Sequence, residues 1–172
     1  MVLHSARGST RLREFMKALA TLYARFSALA SYLQSPFLLA VRLYWGWQFA
    51  QSGWGRLHHV SQATSFFASL NLRFPEATVV FISSLEFVGG ILLIVGLASR
   101  LTGLLLAGDM LVAYWTADRE ALSSIFSDPG KFYGAAPYTF LFTSLMVLIF
   151  GAGLFSVDAW LSRRCQAGID RP

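Results

Sequence analysis

The sequence predicts an all-α membrane protein, a four-transmembrane-helix bundle preceded by an N-terminal amphipathic interfacial helix. Three observations lead there. The 172 residues are 55% hydrophobic and only 13% charged, too little charge for the surface of a soluble domain of this size. Mean hydropathy is +0.53, and the long apolar runs approach the roughly 20 residues that a hydrocarbon layer of about 30 Å requires. Three ionisable residues, Arg42, Glu86 and Asp109, fall inside those runs. A charge inside a span costs roughly 2.5–3.5 kcal/mol on insertion scales, so it persists where it is paired or functional.

The chain divides into a tail with an interfacial helix (1–35), the four-span unit (36–160) and a basic cytoplasmic tail (161–172). In 11–33, Leu12, Phe15, Met16, Leu19, Leu22, Tyr23, Phe26, Leu29 and Leu33 recur at helical spacing. Arg11, Arg13, Lys17 and Arg25 fall mainly on the other side, which suits a helix lying on a membrane surface or packed on a partner subunit. Ser35-Pro36 is expected to start the first span, 36–55, because proline costs nothing in a first turn. Pro75-Glu76 opens the second, 77–97; Ser99-Arg100 turns tightly into the third, 101–117; Pro137 precedes the fourth, 137–157. The short turn makes spans two and three antiparallel neighbours.

Orientation follows from Lys and Arg. The N-terminal segment, the Arg100 turn and the C-terminal tail hold nine, against four at Arg56, Arg73, Arg119 and Lys131. The positive-inside rule then places both termini in the cytoplasm, in a multi-pass protein of the inner (plasma) membrane. Trp54 and Trp115 fall at the outer boundary and Trp160 at the inner one, as aromatic belts do. The two outer connections are too greasy for solvated loops: Phe66, Phe67, Leu70 and Leu72 in one, Leu122, Ile125, Phe126 and Phe132 in the other. They are expected on the outer membrane surface or folded over the bundle mouth.

Composition also excludes. Net charge is +5, which fits anionic lipid head groups; no basic run interleaved with aromatics points to nucleic acid, so the bilayer is the expected partner. A lone cysteine, Cys165, excludes an intrachain disulfide, a CxxC pair and a multi-cysteine metal site. No signal-peptide pattern precedes the first span. No nucleotide loop, nucleophile motif or haem attachment site is visible.

The candidate ligand or proton site is Arg42, Gln48, Glu86, Asp109 and Tyr114. Both acids fall roughly 12–14 Å deep by the 1.5 Å helical rise, with Arg42 shallower but long enough to reach inward. Two acids facing one arginine leave a surplus negative charge, which favours protonation of one acid. The plainer alternative is a buried pair, Arg42–Glu86 or Arg42–Asp109, that sets helix register and nothing more. Gly46, Gly53, Gly89, Gly90 and Gly96 are expected to let backbones approach closely, although Gly89-Gly90 also leaves room for a flat ligand. No metal site is expected; the weak candidates are His58 and His59, with Asp118, Glu120 and Asp128 on the same side. Trp45, Trp47 and Trp54 either stack on a quinone-like ring or face lipid and packed neighbours.

Arg42-x3-Gly46-x2-Phe49-x3-Gly53-x2-Arg56, followed by Glu86-x2-Gly89-Gly90-x2-Leu93-x2-Gly96-x3-Arg100, resembles the DoxX family of integral membrane proteins over about residues 36–157. That resemblance implies a four-helix membrane bundle, with Arg42, Glu86 and Arg100 on the family's charged motif positions and Arg56 where a lysine is common. Relatives include membrane subunits of thiosulfate:quinone oxidoreductase, proteins associated with redox-stress enzymes, and proteins accompanying copper-handling peptides. The expectation is an accessory membrane subunit of a redox or stress-response system, as in a quinone-linked oxidoreductase, with a quinone as the cofactor to test. The alternatives are a small proton-coupled carrier, which with four spans would form a homo-oligomer, and a scaffold docking a cytoplasmic enzyme through residues 11–33.

Overall fold

The computed structural model describes the backbone of residues 3–169 and the side chains of residues 13–166. The side chains of Arg7, Arg11, Leu12 and Arg171, used above for amphipathicity and charge balance, lie outside the described residues. The chain is all-helical: α1 (Leu3–His58), α2 (Val60–Ser69), α3 (Pro75–Val95), α4 (Ser99–Thr116), α5 (Arg119–Ser123), α6 (Pro129–Gly134), α7 (Pro137–Phe150) and α8 (Val157–Ile169).

α1 packs along α3 and touches α7; α4 packs along α7 and touches α3. Each of these four helices thus has two neighbours, around a core of Phe49, Leu93, Leu106, Met110, Leu141 and Val147. Glycines set the closest approach. A Cβ on Gly53 would strike the backbone of Ser83 and Phe87, and one on Gly90 would meet Gly46 and Ala50. The α1–α3 contact is therefore backbone on backbone, as expected for small residues in a lipid-facing bundle. Gly89 meets the Leu106 side chain on α4, so the Gly89-Gly90 pair is spent on packing.

Two helix boundaries differ from expectation. α1 does not begin at Pro36 but runs through it. Pro36 removes one hydrogen bond, to the Tyr32 carbonyl, which bends a helix without having to end it. The segment before it stands clear of the bundle: of residues 13–34, all are exposed except the half-buried Ser27. At the other end, α7 stops at Phe150 rather than 157, because Gly151 (φ 75°) and Gly153 (φ 74°) adopt the left-handed backbone that ends helices.

The distribution of polarity differs from that of a soluble protein. Arg42, Ser83, Glu86, Asp109, Thr143 and Ser144 are buried, while Phe81, Leu101, Leu111, Trp115 and Ile149 are exposed. Broad exposed apolar faces around a core that also holds buried charges need a hydrocarbon solvent. Among the described residues, α3 alone is long and apolar enough to cross a membrane by length and composition; α7 is as apolar but has 14 residues.

Candidate functional site

The buried charges separate into two clusters, at opposite ends of the bundle. At one end Arg56, near the C-terminus of α1, forms an ion pair with Glu86 of α3. Glu86 is 3% exposed and Asp109 of α4 is 8% exposed. Both acids and Arg56 line one cavity of about 290 Å³, together with Ser52. α2 and the turn after it roof it with Phe66, Phe67, Leu70 and Leu72. The connection between α1 and α3 thus folds over the bundle mouth, held by packing of α2 on α3. Asp109 Oδ2 is buried without a hydrogen-bond partner among the described residues, so this chamber carries an acceptor, or a protonated donor, that none of them satisfies.

Asp109 has a second exposure. It also lines an open groove of about 600 Å³ between α3 and α4, otherwise apolar but for Thr78, with Phe81, Leu85 and Leu105 among its walls. Thr78, Ile82 and Val112 border both spaces. The polar chamber therefore abuts a lipid-facing groove with Asp109 at the boundary.

Arg42 belongs to the other cluster, and this corrects the expected Arg42–Glu86 or Arg42–Asp109 pair. Arg42 is fully buried, and its Nη2 donates to the Phe155 carbonyl at 2.5 Å. Its guanidinium fills the space beside Gly96, where φ is 73° and a Cβ would collide with Arg42 and Ser156. Asp158 completes the clamp: its carboxylate accepts from the Ala98 N–H at 2.7 Å and the Ser99 N–H at 2.8 Å, and its own N–H donates to the Gly96 carbonyl at 3.0 Å. The acid thus caps the N-terminus of α4, where negative charge is favoured. Burial alone would raise the Asp158 carboxyl, but the Ser99 and Ala98 hydrogen bonds, helped by Arg42, hold it below the usual carboxylate value.

The remaining predicted residues scatter. Tyr114 is buried, but its hydroxyl donates to the Phe132 carbonyl at 2.7 Å and its ring stacks on Phe132 at 4.9 Å; it ties α6 to α4 rather than facing the chamber. Gln48 is half-buried on α1 and does not line the chamber. His58 and His59 each place Nδ1 3.0 Å from a carbonyl one turn earlier, those of Trp54 and Gly55. Among the described residues no three metal-ligating groups gather. Trp45 packs edge-on against Phe140 at 5.2 Å and Trp54 against Phe87 at 5.1 Å, while Trp47 faces outward.

Arg56 is the site residue that sequence reasoning missed, having been assigned to the outer surface. A signal was present. Residues 42, 46, 49, 53 and 56 form one stripe on α1, and side chains on a helix tilt toward its N-terminus. On that stripe Arg56 leans inward, toward Glu86, while Arg42 leans outward, toward the far end of the bundle.

An all-helical chain with apolar outer faces and ionisable groups sealed between its helices is a membrane protein. The DoxX family model matches residues 37–119, a stretch that holds Arg42, Arg56, Glu86 and Asp109 together, and this match supports membership of the DoxX family. No curated protein and no solved structure matches it.

Proposed function

We propose that this protein is a four-span inner-membrane bundle, both termini cytoplasmic, serving as an accessory subunit of a redox or stress-response system. Its chamber would bind the head of a quinone-like amphiphile or pass protons to it. α1, α3, α4 and α7 supply the spans, α4 and α7 reaching the interfaces with the help of their flanking turns. The observation that carries this reading is the juxtaposition at Asp109. An unsatisfied carboxyl group stands where a chamber with polar groups meets an apolar groove, so a ligand could lay its tail in the groove and offer its head to Asp109. Arg56 pairs directly with Glu86 and also faces Asp109 across the chamber, so two acids share one cation. Asp109, the one without a direct partner, is the group to give or take a proton. The aromatic roof keeps bulk water from the exchange.

The same surplus acid supports a second reading, a small proton-coupled carrier. Titration of the purified protein with decylubiquinone, followed by tryptophan fluorescence, tests the first. Saturable quenching that weakens in Asp109→Asn and persists in Cys165→Ser is expected; equal quenching in Asp109→Asn overturns it. Substrate flux in proteoliposomes that follows an imposed proton gradient would favour the carrier instead.

A further inference from the structure

α1 extends well beyond the bundle, and the face it exposes there carries a heptad-spaced row of large apolar residues. Phe15, Leu19, Leu22, Phe26, Leu29 and Leu33 are spaced 4, 3, 4, 3 and 4 residues apart, and all are exposed. That is the alternation of d and a positions in a heptad repeat, with no polar residue at any of them. The charges lie off the seam. Arg13, Glu14 and Lys17 fall on the outer faces, with Lys17 bound to Glu14 at 3.3 Å. Met16, Ala18, Tyr23, Ala30 and Tyr32 flank the seam together with Arg25, so no like charges would meet across a parallel pair.

We propose that residues 15–33 form a parallel coiled coil with the same segment of a second copy of this chain. Three observations favour that occupant over a lipid surface. Spacings of 4, 3, 4, 3 and 4 residues keep one continuous seam for a partner helix along the whole exposed segment. The helix is unbroken from Leu3 to His58, so no loop separates the segment from α1 to let it fold back flat on the lipid surface. Two copies inserted in one membrane share an orientation, so their seams run parallel and in register. Beyond Leu33 the exposed face continues through Phe37, Leu43, Tyr44 and Trp47, with no helix of the bundle across it. The partner helix can therefore follow α1 into the membrane. This inference does not depend on the chamber or its ligand.

Cysteine cross-linking in native membranes, in a Cys165→Ser background, tests it. Leu22→Cys and Leu29→Cys should yield covalent dimers severalfold more efficiently than Ala24→Cys and Ser31→Cys on the opposite face. Leu22→Asp combined with Leu29→Asp should convert the detergent-solubilised dimer to monomer while the melting of the bundle stays unchanged. Equal cross-linking at all four positions would overturn the proposal. So would quenching of a label at position 22 by brominated lipid, or cross-linking at the seam to a different protein.

Discussion

Arg56 on α1 and Glu86 on α3 close an ion pair under the aromatic roof of α2, and Arg42, on the same stripe of α1, has no share in it. The two arginines are fourteen residues apart, about 21 Å along the helix. What separates their roles is direction. Side chains lean toward the N-terminus of their helix, so Arg56 leans into the bundle and Arg42 out of it. Glu86, on an antiparallel helix, leans toward the end where Arg56 lies. The pair and the clamp are thus two solutions to one cost, that of a charge held away from water.

Removing one partner of the pair should be far more damaging than removing both. Arg56→Gln leaves Glu86 buried and unmatched and should lower stability by about 3–5 kcal/mol. The double variant Arg56→Gln with Glu86→Gln should recover most of that loss. Thermal unfolding in one detergent, arranged as a double-mutant cycle, measures the coupling; additive losses would mean the two side chains do not act together.

The α1–α3 seam makes a second prediction. Gly53→Val drives a branched side chain into the Ser83 and Phe87 backbones and must separate the helices, displacing Arg56 from Glu86. It should cost at least as much as the overpacking of a core, about 1–3 kcal/mol. Gly108 is the control, since nothing lies within 4 Å of a Cβ placed there. Gly108→Ala should be neutral or stabilising by up to about 1 kcal/mol, as an alanine replacing glycine inside a helix. Comparable losses in the two variants would refute the close-packed seam.

Much of this was legible in the sequence, for physical reasons that differ element by element. α3 and α4 are bounded by Pro75, Gly96 and the tight Ser99-Arg100 turn, local signals that tertiary contacts do not override. The glycines of α1 and α3 meet because small residues at helical spacing have few other uses in an apolar span. α1 was less legible: Pro36 looks like a start signal, yet a proline is tolerated inside a long helix when its neighbours pack elsewhere. The end of α7 depends on left-handed glycines within an otherwise apolar run, which hydropathy does not register. Glu86 and Asp109 were found by their cost in lipid. Their cation was misassigned because position along a helix was weighed without side-chain direction, and Tyr114 because its hydroxyl partner is a backbone carbonyl, which no side-chain pattern reveals.

The clamp around Asp158 should be sensitive to acid. The folded protein holds this carboxyl below its ordinary value, so on acidification the unfolded chain takes up the proton first. The contribution of the clamp is then whole above about pH 3.9, the unperturbed aspartate value, and shrinks as the pH falls toward the lower folded value. Asp158→Ala should lose stability at neutral pH by about 0.5–2 kcal/mol, the range for a lost helix cap, and its stability should fall less steeply below pH 4. Unfolding followed between pH 3 and 7 checks this; parallel profiles for the two proteins would show that Asp158 contributes no linkage.

The roof of the chamber predicts how the site is reached. Ser52 lines the cavity beneath Phe66 and Phe67, so in a Cys165→Ser background a cysteine at position 52 should react slowly with a membrane-impermeant maleimide added to the outer side. Truncating the roof, by Phe66→Ala with Phe67→Ala, removes two side chains between the thiol and water and should raise that rate severalfold. Prior incubation with decylubiquinone should slow it again if the ligand occupies the chamber. Labelling from the cytoplasmic side should stay slow in every variant, because the Arg42–Phe155 and Asp158–Ser99 contacts close that end. Faster labelling from the cytoplasmic side would reverse the proposed orientation, and a rate unmoved by roof truncation would show that α2 does not seal the chamber.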